Sequence, residues 1–217
     1  MACRNANNGD TLLTVAIAPH QVYGPRDMLF LHNMLGAGSK LRVFGTVRSC
    51  RCFCLPRSTR AELSIHAQGK NKCSFCHVDN YCHGLILGER ALVPGGAALG
   101  RFYIVTDGPP QDFWRVLDVA VVAIGCRSVF SKFRLPKWFI LPIAYLCSLL
   151  GVLLRRKFKL NPFAARMLMI HRWFDIEAAR RDLAYEPVVT FEQGWADTVE
   201  WFRTEWAPVH GPMRHRK

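Results

Sequence analysis

Two groups of cysteines have a spacing that could hold a metal ion or a haem group. Cys73 and Cys76, followed by His77, match the C-x-x-C-H pattern of haem attachment. Three further cysteines precede them: Cys50, Cys52 and Cys54. Thiolates at such spacing can share a tetrahedral zinc ion. On a β-strand, however, Cys73 and Cys76 point to opposite faces because they are an odd number of residues apart, so we predict no metal site.

Two glycine-rich stretches could bind a phosphate group. After Gly36 and Gly38, Leu41 stands where a dinucleotide-binding fingerprint needs its third glycine. The stretch from Gly95 to Gly100 precedes a predicted strand rather than following one, so it cannot place a helix N-terminus on a pyrophosphate. Neither stretch is predicted to bind a dinucleotide.

The segments that must position any site alternate between strand and helix. Residues 11–18 are apolar and rich in β-branched side chains, which is typical of a buried parallel strand. Residues 101–106 predict a second strand, and residues 41–44 and 73–77 predict two shorter ones. This alternation predicts an α/β fold with a partly parallel sheet.

Capping residues and apolar spacing predict the helices. In the first half we expect a short helix over residues 28–35 closed by Gly36, and a helix begun by Asp79 that turns Leu85, Leu87 and Ala91 toward a core. Residues 112–124 predict an amphipathic helix. Nearer the C-terminus, Asp175 can cap a helix over residues 176–183. Thr190 and Gln193 have capping-box spacing and begin a helix predicted to bury four apolar residues: Trp195, Val199, Phe202 and Trp206.

The 217 residues carry a net charge of +13, and half of them are apolar. This charge calls for an anionic partner, either nucleic acid or a membrane containing anionic lipid. Many basic residues flank an apolar segment instead of lying beside stacking aromatics, so we predict membrane and no nucleic acid. The nine cysteines are expected to be reduced thiols in a cytosol-facing protein, since no secretory leader is recognisable.

An uncharged apolar segment runs from Trp138 to Leu154 between basic residues. As a helix it would reach roughly 25 Å at about 1.5 Å per residue, short of a hydrocarbon core of about 30 Å. Pro142 shortens the usable helix further. We predict a helix that lies in one leaflet of a membrane, and the alternative is a buried core helix.

Four stretches in order resemble the 3β-hydroxysteroid dehydrogenase family of extended short-chain dehydrogenases, which includes the sterol-4α-carboxylate 3-dehydrogenases. They are VAIAPHQVYGPRD (15–27), CSFCHVDNYCHGLILGERAL (73–92), GRFYIVTDGPPQDFW (100–114) and WFDIEAARRDLAYEPVVTFEQGWADTVEWF (173–202). The resemblance implies an incomplete Rossmann-like sheet with a helical substrate-binding part. It also implies a loop over the nicotinamide of NAD or NADP, whose cofactor-side residues would be Pro19, His20, Gln21 and Val22. The substrate-side residues would be Tyr23, Gly24, Pro25 and Arg26. The alternative is a loop that merely joins a strand to a helix.

The resemblance further implies hydride transfer from a sterol 3β-hydroxyl at the endoplasmic reticulum membrane, and a possible homodimer. That chemistry needs a Tyr-x-x-x-Lys pair, whose lysine lowers the pKa of the tyrosine. None of the five tyrosines has a lysine four residues later. His20 and His77 are the only other candidate bases, and each is more often structural. We therefore predict no catalytic residue and an inactive chain, or alternatively a non-catalytic basic membrane-binding or interaction protein.

Departures from the family pattern include Ala18, Cys76 and Ala184, the last where glycine is expected after a helix. Residues 47–68 interrupt the resemblance, and we interpret them as a retained intron or a basic surface loop.

The predicted organisation follows from these features. Residues 1–46 end a dinucleotide-binding sheet, residues 47–68 are the insertion, residues 69–131 form an α/β substrate-side region, residues 132–160 are membrane-associated and residues 161–217 are helical.

Overall fold

The structure, a computed structural model, describes residues 12–40, 71–131, 142, 145–151, 154, 162–167 and 170–210. The predicted strand over residues 41–44 and the insertion over residues 47–68 lie outside the described residues, as does most of the apolar segment. The domain boundaries proposed above stay predictions.

In the part of the chain that the structure describes, six short strands pair two by two. Strand β1 (Ala16–Pro19) pairs in parallel with β5 (Phe102–Val105), β2 (Val22–Tyr23) pairs in parallel with β4 (Cys76–His77), and β3 (Lys72–Cys73) pairs antiparallel with β6 (Gln111–Asp112). The predicted α/β fold with a partly parallel sheet is confirmed.

Seven α-helices are assigned with bounds in the described residues. They are α1 (Leu31–Lys40), α2 (Val78–Arg90), α3 (Phe113–Ala123), α4 (Pro162–Met167), α5 (Glu177–Leu183), α6 (Phe191–Trp201) and α7 (Ala207–His210). A 3₁₀ turn covers Val129–Ser131, and a π-helical turn over Phe202–Trp206 joins α6 to α7. Thr190 is confirmed as the residue that caps α6, since the Gln193 backbone N–H donates to the Thr190 hydroxyl at 3.3 Å.

Two strand predictions need correction. The first strand is parallel as predicted, but it covers only Ala16–Pro19 and is half-buried. Strand β1 is half-buried because helix α2 covers one face of the β1–β5 pair. On β5, Phe102 remains 62% exposed. The single strand predicted over residues 73–77 is two strands, because Cys73 pairs toward β6 and Cys76 pairs toward β2.

Two predictions of helix ends were wrong. Helix α1 begins at Leu31 and continues through Gly36. The Asp27 carboxylate accepts from the backbone N–H groups of residues 29, 30 and 31 at 2.7–2.9 Å, and this fixes the turn before the helix. Helix α2 is capped by His77, whose Nδ1 accepts from the Asp79 N–H at 3.3 Å, so Asp79 lies in the first turn instead.

Helix α2 turns small residues toward the core in place of Leu85, one of the residues predicted to face it. Leu85 is 43% exposed, whereas Gly84 and Gly88 are buried. A Cβ atom at Gly84 would lie 3.1 Å from Val105, and one at Gly88 would lie 3.0 Å from Ile17. The two glycines therefore allow the helix to approach the β1–β5 pair closely.

The buried residues form two clusters. One is aromatic and includes Tyr23, Phe75, Phe113, Trp195 and Phe202. The second cluster lies against the β1–β5 pair and consists mainly of residues from β5, α5 and the segments around them: Cys76, Ala98, Tyr103, Val105, Ile176, Ala179, Leu183 and Tyr185.

Within the described residues, no helix has both the length and the apolar character needed to cross a membrane. Residues 145–151 are helical, and Leu146, Leu149 and Leu150 on this stretch are 56%, 67% and 39% exposed.

Candidate functional site

The loop singled out in the sequence leaves the carboxyl end of β1. Strand β5 runs parallel to β1 and ends at Val105, so Thr106 and Asp107 lie at the same edge of the sheet. In open α/β sheets ligands bind at this edge. Gln21 and Arg26 adopt φ values of 46° and 67°, a left-handed conformation that non-glycine residues adopt at a cost. The backbone at this edge is therefore held in an unusual shape.

His20 is fixed at the start of the loop. Its Nδ1 atom lies 2.7 Å from the Ser74 carbonyl oxygen, and its ring centroid lies 4.9 Å from that of Phe174. Burial lowers the pKa of His20, and the positive charge of Arg172 lowers it further, although the bond to Ser74 raises it. The imidazole is therefore neutral at pH 7 with its proton on Nδ1, which leaves Nε2 as a hydrogen-bond acceptor.

Tyr23, predicted on the substrate side, is instead part of the aromatic core. It is 1% exposed and makes edge contacts with four rings: Phe75, His77, Phe191 and Trp195. Burial raises the pKa of Tyr23 far above its ordinary value, and the nearby Asp107 raises it further. Gly24 is also buried, whereas Pro25 and Arg26 are exposed. Of the four substrate-side residues, only these two lie where a bound molecule could reach them.

A buried polar network lies beneath the loop. The Asp107 Oδ1 atom accepts from the His77 backbone N–H and from the Asn80 side chain, each at 2.7 Å. Asn80 also donates to the Val189 carbonyl at 2.7 Å and accepts from the backbone N–H groups of residues 188 and 189 at 2.8 and 2.9 Å. The network ties β4 and the end of β5 to the segment that precedes α6.

Two atoms of this network have no hydrogen-bond partner among the described residues: His77 Nε2 and Asp107 Oδ2. Burial raises the pKa of Asp107, although its bonds to Asn80 and to the His77 N–H oppose that shift. Sequence reasoning missed both Asn80 and Asp107. The available signal was a carboxylate directly after a predicted strand and an amide in the first turn of the helix that follows β4.

The two cysteines of the haem-like pattern are buried thiols. Burial raises the pKa of Cys73 to about 11, even though Arg172 lowers it, and burial also raises the pKa of Cys76. Both are protonated at neutral pH, so neither is a reactive thiolate. No group of three or more metal-binding side chains occurs in the part of the chain that the structure describes.

Pro19 and His20, predicted on the cofactor side of the loop, lie half-buried at the carboxyl end of β1. The Gln21 carbonyl already accepts from the Cys76 N–H at 3.3 Å, so it is not available to a ligand in that direction. The described residues contain no glycine-rich turn between a strand and a helix that would take the phosphates.

No family model matches the chain. It is 29% identical over 205 residues to a 3beta-hydroxysteroid-dehydrogenase/decarboxylase of Arabidopsis thaliana, covering 91% of this chain and 42% of that protein. It is 27% identical to a 2-alkyl-3-oxoalkanoate reductase of Stenotrophomonas maltophilia (87% of this chain, 51% of that protein). It is 24% identical to the sterol-4-alpha-carboxylate 3-dehydrogenase, decarboxylating, of mouse (88% and 48%).

Two solved structures share the fold. They are gox2253, with a TM-score of 0.51 and 17% identity over 86% of this chain and 48% of that one, and the epimerase Mth375 of Methanothermobacter thermautotrophicus, with a TM-score of 0.50 and 17% identity over 90% and 44%. The chain thus shares the fold of about half of each of these structures. The resemblance to the 3β-hydroxysteroid dehydrogenase family is confirmed by the relatives named above. The chain spans about half the length of these relatives or less.

Proposed function

We propose that this chain is the substrate-side part of a nicotinamide-dependent oxidoreductase that acts on the 3β-hydroxyl of a sterol at a membrane surface. The observation that carries the proposal is the similarity over about nine-tenths of the chain to proteins named for this chemistry. The position of the loop over residues 19–26, at the carboxyl edge of two parallel strands, supports it.

In this proposal NAD or NADP would accept the hydride when bound. Pro19 and His20 would border the nicotinamide, with Gln21 and Val22 holding the loop against β4. His20, neutral and fixed by Ser74, would present Nε2 as an acceptor. Tyr23 and Gly24 would form a rigid floor, and Pro25 and Arg26 would border the substrate.

In this proposal the chain binds the substrate. The residues that assist hydride transfer are ones that it does not contain. No Tyr-x-x-x-Lys pair occurs in its sequence. Without that pair the chain has no base with a pKa suited to accept the proton of the 3β-hydroxyl. We expect the chain to bind a 3β-hydroxysteroid and not to oxidise it.

Two measurements on the purified chain test this proposal. The first is equilibrium binding of a tritiated 3β-hydroxysterol in detergent micelles, and the second is reduction of NAD⁺ or NADP⁺ followed at 340 nm with the same sterol. We expect saturable binding without nucleotide reduction. Absence of saturable sterol binding would overturn the assignment, and steady nucleotide reduction would overturn the division of roles.

A second candidate is a non-catalytic, basic membrane-binding protein derived from the same scaffold. The exposed leucines on the helical residues 145–151 and the net charge of +13 favour it. The gene sequence 5′ of the codon for Met1 separates the two candidates. A continuous reading frame that encodes a glycine fingerprint and a Tyr-x-x-x-Lys pair supports the enzyme, and its absence supports the non-catalytic protein.

A further inference from the structure

We propose that a surface beside the cofactor-side loop docks on the headgroup region of a membrane that contains anionic lipid, so that the candidate site opens toward the bilayer. This surface, the aromatic rim, consists of four exposed apolar side chains: Phe163, Ile170, Trp173 and Phe174. The inference rests on the proposed function, since it names the lipid surface that the site would face.

The chain around Trp173 is held as an extended segment along β3. The Arg172 carbonyl accepts from the Ser74 N–H at 2.9 Å, and the Phe174 N–H donates to the Ser74 hydroxyl at 3.1 Å. Successive side chains of an extended segment point to opposite sides. The guanidinium carbon of Arg172 lies 6.0 Å from the centre of the buried Phe113 ring. The indole of Trp173 therefore lies on the outer side, where it is 54% exposed.

One end of the aromatic rim reaches the candidate site. The ring centroid of Phe174 lies 4.9 Å from that of His20, at the carboxyl end of β1. Ser74 holds both residues, because its hydroxyl accepts from the Phe174 N–H and its carbonyl oxygen lies 2.7 Å from His20 Nδ1. A membrane docked on the rim would therefore lie against the loop over residues 19–26.

The other end of the aromatic rim is joined to the helical residues 145–151. The Arg166 guanidinium on α4 donates to the Tyr145 hydroxyl at 2.9 Å, and Phe163 on the same helix is 70% exposed. The Ile170 N–H donates to the Arg166 carbonyl at 3.2 Å, which ties Ile170 to the end of α4. The exposed apolar side chains thus occur on connected segments instead of singly, as expected of an interaction surface.

The cations beside the aromatic rim favour anionic lipid as its partner. Lys72 and Arg166 are exposed, and no carboxylate of the described residues lies within 4.0 Å of either side chain. Exposed tryptophans favour the headgroup level of a membrane, and lysine or arginine beside them attracts anionic headgroups. A second copy of the chain is a poorer partner, because docking rim to rim would bring the same cations together.

The test uses the full chain and vesicles of brominated phosphatidylcholine and phosphatidylserine, whose bromine atoms quench tryptophan fluorescence on contact. We expect Trp173→Phe to lower the quenched part of the emission, whereas Trp201→Phe on α6 should not. In co-sedimentation, Trp173→Asp should bind these vesicles roughly tenfold more weakly than wild type, since it removes a buried indole and adds a negative charge. Val119→Asp on α3, where the valine is 55% exposed, is the matched control and should bind as wild type.

The outcomes separate the two proposals. Unchanged quenching in Trp173→Phe, or equal loss of vesicle binding in Trp173→Asp and Val119→Asp, overturns the docking surface. Equal binding to vesicles of phosphatidylcholine alone overturns the anionic partner. A wild-type chain that is dimeric without lipid, while Trp173→Asp is monomeric in analytical ultracentrifugation, would show that a second copy covers the rim. None of these results touches the proposed function, whose sterol binding is measured in detergent micelles without a bilayer.

Discussion

At the scale of the residue, Asn80 shows how one side chain fixes the edge of the candidate site. Its amide donates two hydrogen bonds and accepts two, which is its full capacity. It is also fully buried, so these bonds replace all of its contacts with water. Because its partners lie far apart in the sequence, Asn80 holds β4, Asp107 and the entry to α6 in one arrangement.

Gly194 on α6 lies against this network, and we predict that Gly194→Ala destabilises the protein. A Cβ atom there would lie 2.8 Å from His77 Cδ2 and 3.0 Å from the Tyr23 hydroxyl, and both rings are buried. Overpacking of this kind costs about 1–3 kcal/mol, although alanine is the better helix former. Urea unfolding measures the change in the free energy of unfolding.

Gly36→Ala is the matched control for this prediction. Gly36 also lies in a helix, but a Cβ atom there would meet no atom within 4 Å. This variant should gain about 0.5–1 kcal/mol from helix propensity. If Gly194→Ala also gained stability, α6 would not approach His77 as closely as described.

The raised pKa of Asp107 predicts a pH dependence of stability. The folded carboxyl binds its proton more tightly than the unfolded one, because burial disfavours the charged form. The free energy of unfolding should therefore fall as pH rises from the ordinary pKa of an aspartate through its higher pKa in the folded state. Above that value the contribution is constant.

Asp107→Asn isolates this contribution, since the amide keeps an oxygen that can accept from His77 and Asn80 but does not titrate. The difference in unfolding free energy between wild type and variant should decrease across that acid range and then level off. A difference that rises with pH would mean that hydrogen bonds, and not burial, dominate the environment of Asp107.

At the scale of the element, the end of α5 carries a residue with an unfavourable conformation. Ala184 follows the helix with φ 52° and ψ 35°, where the sequence led us to expect glycine. Its backbone N–H donates to the Ala179 carbonyl, and the Tyr185 N–H donates to the same carbonyl at 3.3 Å. The left-handed turn is thus required by the chain path, whichever residue occupies it.

We predict that Ala184→Gly stabilises the protein by about 0.5–1 kcal/mol. Glycine relieves the strain of the left-handed conformation, and the greater entropy of its unfolded chain offsets part of that gain. Thermal or urea unfolding measures it. Ala178→Gly, at an exposed position inside the same helix, is the control and should destabilise by a similar amount. Destabilisation in both variants would contradict the left-handed assignment.

At the scale of the whole molecule, the described part has an asymmetric sheet. Helix α2 covers one face of the β1–β5 pair, and Phe102 remains exposed on β5. A two-stranded pair is marginal without further strands or helices to cover it. The chain corresponds to about half of its relatives or less, which is consistent with a sheet that further structure would complete.

The exposed leucines on residues 145–151 predict binding to membranes that contain anionic lipid. We expect the chain to co-sediment with vesicles of phosphatidylcholine and phosphatidylserine, and to bind less at high salt. Leu149→Glu should weaken binding by roughly tenfold or more, since burial of a leucine is worth about 1.5–3 kcal/mol.

Leu85→Glu, at a similarly exposed leucine on α2, is the matched control for the vesicle experiment and should bind as wild type. An equal loss in both variants would indicate a general effect of added negative charge. A wild-type chain that stays in the supernatant would exclude the membrane from the proposed function.

The sequence by itself determined the fold class, most helix positions and the capping of α6, because these depend on local spacing and on side chains a few residues apart. It also located the loop over residues 19–26 through the family resemblance. It did not determine which side of that loop faces the core. Tyr23 was expected to border a substrate, but it lies among aromatic rings contributed by β4 and α6.

Only the tertiary structure decided the contacts between distant segments. Arg172 and His20 are joined through Ser74, and Asn80 and Asp107 are joined beneath the loop, across long separations in sequence. No spacing rule reaches so far, because the partners are brought together by the packing of β3, β4 and α2 rather than by the local chain. The Nε atom of Arg172 is buried without a hydrogen-bond partner among the described residues, and its surroundings likewise depend on this packing.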